Sequence, residues 1–476
     1  MPRYFVTLIV AVALFMEQMD STVIATSLPA IATDLHADPV ALKLALTSYL
    51  LSLAVFIPLS GWIADRFGAR TVFRAAIAVF TLGSAACGFA QGLPDLVAFR
   101  ILQGMGGAMM VPVGRLVILR TVPKAELISA LAWLTIPALM GPVIGPPLGG
   151  AISTFASWRW IFWINIPIGI LGMVLATRYI ENIREDKVPP LDVKGFILSG
   201  IGLSGIAFGF TNLGQGLFPP EIVLALFAAG VVGCFFYVRH ARATKAPLLD
   251  LNLLKIETFF ASVVGGFLFR IGAGAMPFLL PLMFQLGFGL SPFQSGLLTF
   301  VSAIGSVAMK TTAAPIIHRF GFKRTLVVNA VVSALFVASI ALFTAGTPYA
   351  IVLAVLLASG FFKSLQFTAI NSIAYADIED GAMSRATSFA SVVQQLSHSA
   401  GVAMGALVLE IERMGRPGAH VLAEDFPAAF LVVAAIAASS VFVFMRLPPG
   451  AGASLSARTR PVGAGRETAS EPTPFS

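Results

Sequence analysis

The sequence predicts an all-α integral membrane protein: two six-helix bundles with two further helices inserted between them, fourteen spans in all. Three observations carry the membrane-helical class; the two bundles rest on an internal repeat. Of the 476 residues, 57% are hydrophobic and only 11% are charged, whereas a soluble domain carries about a quarter charged residues. The apolar residues come in runs of about twenty, the length that crosses a bilayer core of roughly 30 Å as a helix. The runs are continuous, where barrel strands would show about ten alternating residues each.

The first run, 5–30, follows Arg3 and ends near Ala30-Ile31-Ala32, which looks like a leader cleavage site. Glu17 and Asp20 interrupt it, and an export signal is uncharged there. It is therefore read as a retained span. Further runs lie at 43–64, 71–91, 94–119, 127–153, 160–179, 193–213, 220–239, 258–285, 291–316, 324–345, 347–376, 384–410 and 426–447. After Pro448 the chain is rich in Gly, Ala, Ser, Pro and Arg, a composition with no apolar pattern to bury, which predicts a disordered tail. The division expected is a bundle at 1–179, an inserted pair with its flanking loops at 180–257, a second bundle at 258–447 and a cytoplasmic tail at 448–476.

Loop charges test this layout. With the N-terminus in the cytoplasm, 22 of the 31 Lys and Arg residues fall in cytoplasmic segments. Four lie on the other side, Lys43, Arg159, Arg413 and Arg416, and the remaining five lie within spans. That asymmetry obeys the positive-inside rule, and a layout wrong by one span would scramble it. Both termini are expected in the cytoplasm, and the net charge of +8 is read as topology rather than as a nucleic-acid surface.

An internal echo supports two halves. Asp65-Arg66-Phe67-Gly68-Ala69-Arg70 follows the second span, and His318-Arg319-Phe320-Gly321-Phe322-Lys323-Arg324 follows the tenth. If the seventh and eighth spans are an inserted pair, both Arg-Phe-Gly turns join the second and third helices of a six-helix half. Duplicated halves are a transporter architecture, with the substrate site between them at mid-membrane.

Other classes find no support. Cys87 and Cys234 each sit inside an apolar run, so no disulfide framework is expected. Five scattered histidines form no metal-ligand pattern. No nucleotide-binding loop of the Gly-x4-Gly-Lys-Ser/Thr type is present, so ATP is not expected to drive the protein. No nucleophile or base cluster marks an enzyme such as a membrane acyltransferase. No cofactor is expected. The partners expected are a small-molecule substrate, protons and membrane lipid, and the protein is expected to be a monomer.

Five motifs, in order and on the right spans, give a resemblance to the major facilitator superfamily and its fourteen-span drug:proton antiporters. Gly61-Trp62-Ile63-Ala64-Asp65-Arg66-Phe67-Gly68-Ala69-Arg70 resembles the superfamily's signature loop. Leu96 to Ala108, with Arg100, Gln103, Gly104, Gly106 and Gly107, is similar to the fourth-span motif. Gly141-Pro142-Val143-Ile144-Gly145-Pro146-Pro147-Leu148-Gly149-Gly150 resembles the fifth-span antiporter motif. Asp20-Ser21-Thr22-Val23-Ile24, ending Leu28-Pro29, resembles the first-span motif, with a departure at Ala25-Thr26-Ser27, where an Asn is usual. Trp158 to Pro167 resembles the sixth-span entry. Gly106–Leu116 and Arg270–Pro277 are most similar to the MdtD-like multidrug-resistance branch. The resemblance implies a major facilitator fold in a bacterial-type inner membrane, and secondary active, proton-coupled efflux by alternating access.

The residues have physical readings beside it. In the 61–70 loop Gly68 permits the turn, and Asp65 among Arg66, Arg70 and Arg115 makes either a static anchor or a lock that breaks in another conformer. Lys310 and Arg319 are the corresponding candidates in the second half. Gly141, Gly145 and Gly149, four apart, line one helix stripe where backbones approach closely. Pro142 and Pro146 remove donors and bend the helix, giving a packing seam or a hinge.

Charges at mid-bilayer are costly and usually face a cavity or a partner. Glu17 and Asp20, three apart, share one face of the first span. The candidate proton-coupling set is Asp20, Glu17 and Arg100, with an Asp20–Arg100 salt bridge as the plain structural alternative. Arg270 and Lys363 lie near mid-depth with no intramembrane acid in their own half. With Gln366, Asn371, Gln395 and His398 they form the candidate substrate cavity, the alternative being interhelical hydrogen bonds. Because these cations exceed the acids, export of organic anions or metal–carboxylate complexes stands beside drug efflux. An importer or facilitator, and a transporter-like sensor, are the rivals on the same fold.

Overall fold

A computed structural model describes residues 5–121, 127–182, 184, 188, 190–212, 219–244, 247–310, 312–379, 382–413 and 421–452, with the side chains at 5, 119–121, 127–139, 142, 210–212, 314 and 384 excepted. The tail beyond 452, Arg3, Arg416 and the side chain of Pro142 therefore lie outside the described residues.

The described residues form helices and no strand. The long helices are α1 Phe5–Asp34, α2 Lys43–Phe67, α3 Ala69–Gly88, α4 Leu93–Thr121, α5 Leu127–Phe155, α6 Trp160–Tyr179 and α7 Val193–Asn212. They continue with α8 Pro220–Ala243, α9 Glu257–Gly287, α10 Pro292–Met309, α11 Phe322–Ile340, α12 Tyr349–Ile373, α13 Met383–Arg413 and α14 Phe426–Phe444. Among the described residues, 12 of them are long and apolar enough to cross a membrane. The other two, α5 and α7, contribute shorter apolar stretches, Val143–Phe155 and Val193–Gly209. The expected fourteen spans thus meet that test at twelve. Parts of α5 and α7 fall outside the described side chains.

Pro58 marks a tight 3-10 turn at Ile57–Leu59 within α2, because proline cannot supply the amide that continues an α-helix. Two π-helical turns, Ala261–Gly265 and Met283–Gly287, bracket the regular part of α9. Such turns are frequent at functional sites.

Helix packing repeats between the halves. In the first, α1 packs on α5 and α6, α2 and α3 pack on α4, and α3 packs on α6. In the second, α9 packs on α13 and α14, α10 and α11 pack on α12, and α11 packs on α14. The halves meet reciprocally, α5 against α10 and α2 against α13, with α1 against α9 at the centre. The architecture is two six-helix bundles plus an inserted pair. Within that pair α7 packs against both α2 and α13, straddling the seam, and α8 packs mainly on α7.

The Arg-Phe-Gly echo is a structural repeat. Gly68 (φ 92°) separates α2 from α3, and Gly321 (φ 74°) separates the short helix Ala313–Phe320 from α11. Both glycines occupy the left-handed region that disfavours other residues. Apolar packing divides into two main cores along α1. Ile9 to Met16 join one with α2, α3 and α4, and Met19 to Leu35 join another with α9 and α14. Glu17 and Asp20 sit where the two cores meet.

Candidate functional site

Asp20 is 2% exposed and both its oxygens are occupied. Arg100 Nη1 on α4 lies 2.6 Å from Asp20 Oδ2. The Gln103 amide, one turn on, donates to Asp20 Oδ1 at 2.9 Å, and the Asn165 amide on α6 donates to the same oxygen at 2.8 Å. Arg100 also donates to Gln103 Oε1 at 2.6 Å and, through Nε, to the Ala45 carbonyl at 3.1 Å. A buried pair lasts only when further hydrogen bonds satisfy the remaining groups, and here α1, α2, α4 and α6 supply them. Asn165 is held in turn by Ser84, which donates to the Phe162 carbonyl.

Glu17 lies one turn earlier, 5% exposed. Its Oε1 accepts from Tyr49 Oη at 3.1 Å, and its Oε2 has no hydrogen-bond partner among the described residues. The Tyr49 ring lies 4.1 Å from the Arg100 guanidinium carbon. One aromatic side chain therefore touches both parts of the acidic pair's surroundings.

The spacing of Glu17, Asp20 and Arg100 is legible in the sequence, but the roles of three partners are not, although Gln103 belongs to the fourth-span motif. Gln103 follows Arg100 at helical spacing, which would have found it. Asn165 was visible as an amide within a span. Tyr49 carries no sequence signal that distinguishes it from a core aromatic.

In the second half, Arg270 on α9 is 3% exposed and donates through Nη2 to Asn371 Oδ1 at 2.9 Å. Its Nε has no partner among the described residues. The Phe367 ring centre lies 5.7 Å from its guanidinium carbon and 5.9 Å from the His398 ring on α13. Lys363, Phe367 and Asn371, four apart, share one stripe of α12. Lys363 makes no ion pair or side-chain hydrogen bond among the described residues. Gln395 is half-buried on α13, one turn before His398.

Gln366 is placed elsewhere. It is fully buried, accepts from Asn329 at 2.8 Å and donates to the Leu326 carbonyl at 3.0 Å. It fastens α12 to α11 and does not join the Arg270 cluster, because its helix position faces the opposite neighbour from Phe367.

Asp65 is half-buried on the last turn of α2, Arg66 and Arg115 are exposed, and Arg70 donates to the Ile180 carbonyl at 3.4 Å. Asn182 closes the turn, accepting from the Thr71 amide at 3.1 Å. Lys310 ends α10 and donates to Thr368 at 2.9 Å. Arg319 is exposed, 5.6 Å from the Phe320 ring. The Gly141, Gly145 and Gly149 stripe packs on α1. A Cβ at Gly145 would lie 2.9 Å from Thr22 Cβ. Hydroxyls of α1 cross this seam, Thr22 to the Gly141 carbonyl and Thr26 to the Pro146 carbonyl. Pro147 and Pro146 also meet Gly296 of α10 closely.

Polar contacts between the halves gather, among the described residues, toward the Asp34 end of α1. Arg413 pairs with Asp38 through two bonds of 2.8 and 3.2 Å. Lys43, wholly buried, lies 3.7 Å from Glu410. Thr154 accepts from the Phe293 amide, and Gln285 donates to the Thr26 carbonyl. Toward the opposite end, Ile57–Leu59 packs on α13.

Repeated halves, a buried carboxylate–guanidinium pair within the first of them and a reciprocal seam are the architecture of a membrane transporter. The Major Facilitator Superfamily model matches residues 10–402 and again 262–474, and the chain belongs to that superfamily. It is 37% identical over 448 residues to the "Putative multidrug resistance protein MdtD" of Pectobacterium atrosepticum, covering 93% of this chain and 95% of the relative. It is 38% identical over 450 residues to the Salmonella typhimurium protein of the same name, at 92% and 94% coverage. Among solved structures, a D-xylose–proton symporter superposes with a TM-score of 0.69 at 14% identity, covering 94% of this chain and 99% of that one. The human organic anion transporter MFSD10 gives 0.60 at 13% identity, covering 93% and 100%. At such identities these two bear on the fold alone. The chain is a multi-pass membrane transporter of the MdtD-like branch, with a small molecule as substrate.

Proposed function

We propose that the protein is a proton-coupled antiporter that exports drug-like small molecules across a bacterial inner membrane. The observation that carries this is Asp20, held at mid-membrane by Arg100 at 2.6 Å and by two amides. A proton arriving at Asp20 neutralises it and frees Arg100, and the helices that share this node, α1, α4 and α6, then lose their fastening. Substrate movement and proton movement are linked because both require that rearrangement. The relatives named for multidrug resistance support drugs as the cargo.

In this reading the halves are 1–179 and 258–447, fourteen helices span the membrane, 180–257 is the inserted pair, and both termini face the cytoplasm. The end fastened by Asp38–Arg413 and Lys43–Glu410 is then the outer one, and the conformation is closed to the outside. The protein acts as a monomer, without an enzymatic step, cofactor or ATP. The test is dye efflux from proteoliposomes under imposed pH gradients of each sign. Transport that follows the gradient supports antiport. Equal rates under both signs, or under none, identify a facilitator.

A second reading has one observation in its favour. Arg270 and Lys363 lie beside Phe367 and His398 with no acid paired to them among the described residues. An anionic substrate, an organic acid or its metal complex, would supply the missing charge.

A further inference from the structure

The two Arg-Phe-Gly turns are alike in backbone and unlike in what covers them. Behind Gly68, the Asn182 side chain accepts from the Thr71 amide in the first turn of α3 and donates to the Phe67 carbonyl at 3.5 Å. Behind Gly321, Arg324 holds the position equivalent to Thr71. No side chain caps that end of α11, among the described residues. A cavity of about 320 Å³ lies there instead, lined by Phe320, Lys323, Arg324, Val328, Met445 and Pro449.

The cavity is basic and open at the protein surface, where Arg324 and Val328 are exposed. Neither 313–330 nor 440–452 contains an Asp or Glu, while His318, Arg319, Lys323, Arg324 and Arg446 all occur in them. Lys323 and Arg324 make no ion pair among the described residues. From the cavity an apolar stripe runs along α11 through Val328, Val331 and Leu335, which are 53%, 42% and 64% exposed. Phe442 of α14 and Met445, just past its end, are exposed as well. A cationic mouth joined to an exposed apolar track matches an amphiphile with an anionic head.

We propose that the groove between the start of α11 and the end of α14 binds an anionic phospholipid. Its phosphate sits at Lys323, Arg324 and the uncapped amides of α11, and an acyl chain follows Val328, Val331 and Leu335. The helix N-terminus favours the phosphate through its free amides, and the two cations select it over a zwitterionic head.

Native mass spectrometry of the full chain, released from detergent with phosphatidylglycerol or phosphatidylcholine added, tests this. The wild type retains phosphatidylglycerol at collision energies that strip phosphatidylcholine. Lys323→Gln with Arg324→Gln lowers the retained fraction roughly tenfold or more. Arg242→Gln, which removes an exposed cation at the end of α8, leaves it unchanged. Equal retention of the two lipids by the wild type, or undiminished phosphatidylglycerol on the double variant, overturns the proposal. Displacement of phosphatidylglycerol by millimolar inorganic phosphate also overturns it, in favour of a soluble-anion site.

Discussion

Tyr49 lies with its ring 4.1 Å from the Arg100 guanidinium carbon while its hydroxyl donates to Glu17 at 3.1 Å. A cation on an aromatic face and a carboxylate on its edge hydroxyl make one side chain the bridge between two buried charges of opposite sign. Removing the hydroxyl leaves the Glu17 carboxylate without its one hydrogen bond among the described residues. Hydrogen bonds to charged groups contribute roughly 1.5–3 kcal/mol. Tyr49→Phe is therefore expected to displace the pH profile of transport toward higher pH and to lower the rate about tenfold at neutral pH, with substrate affinity little changed. An unshifted profile would detach Glu17 from proton handling.

Asp20 and Arg100 should behave as a unit in stability. Asp20→Asn leaves a buried guanidinium with no carboxylate, and breaking such a pair costs about 3–5 kcal/mol. Adding Arg100→Gln removes the stranded charge, so the double variant is expected to be more stable than Asp20→Asn alone. Thermal unfolding of Asp20→Asn, Arg100→Gln and the double variant, each against the wild type, measures the coupling. Strictly additive losses would mean that the two side chains do not stabilise one another.

The Asp38–Arg413 pair is exposed enough for water to weaken it, with 42% and 19% of the two side chains accessible. An exposed pair contributes about 0.2–1 kcal/mol. Arg413→Gln should thus raise the population open at that end by no more than roughly fivefold, read as a longer distance between spin labels at residues 37 and 412. Partial burial pushes the Asp38 carboxyl up, but hydrogen bonds from Arg413 and the Val40 amide outweigh it and hold the group below the usual carboxylate range. A carboxyl with a depressed pKa contributes above its unfolded value and loses that contribution as pH falls through the folded one. The label distances should therefore be constant from pH 8 to 5 and lengthen only in stronger acid. Opening between pH 7 and 6 would assign the latch to another group.

Substrate charge is tested at Arg270 and Lys363. Buried cations without acids repel a cationic cargo where the dielectric is low. Arg270→Gln and Lys363→Gln should each weaken organic-anion transport several-fold and spare or improve cation export. Loss of cation export in both, with no anion bound by the wild type, leaves ordinary multidrug efflux as the only reading.

Depth and composition made the architecture readable: apolar runs of the right length, one-sided loop cations, and two Arg-Phe-Gly turns that both proved to hold a glycine at positive φ. Charged residues were legible because a charge in a span is rare. Rotation was harder to read. Gln366 and Phe367 are neighbours in sequence, yet one fastens α12 to α11 and the other lies between Arg270 and His398, edge-on to the imidazole. No property of a lone amide says which side of a helix lies inward. Asn165 and Gln103 were hidden differently, since an amide inside a motif reads as part of the pattern until a carboxylate is seen beside it.

In the proposed mechanism, protonation of Asp20 releases Arg100 and couples the gradient to transport. The most direct measurement is pH-gradient-driven substrate flux in proteoliposomes, with substrate binding measured in parallel, for the wild type and the folded Asp20→Asn protein. The amide keeps the shape and cannot carry a proton. The variant is expected to bind substrate and exchange it down its own gradient but to gain nothing from an imposed pH gradient. Gradient-driven flux in Asp20→Asn equal to that of the wild type would contradict it.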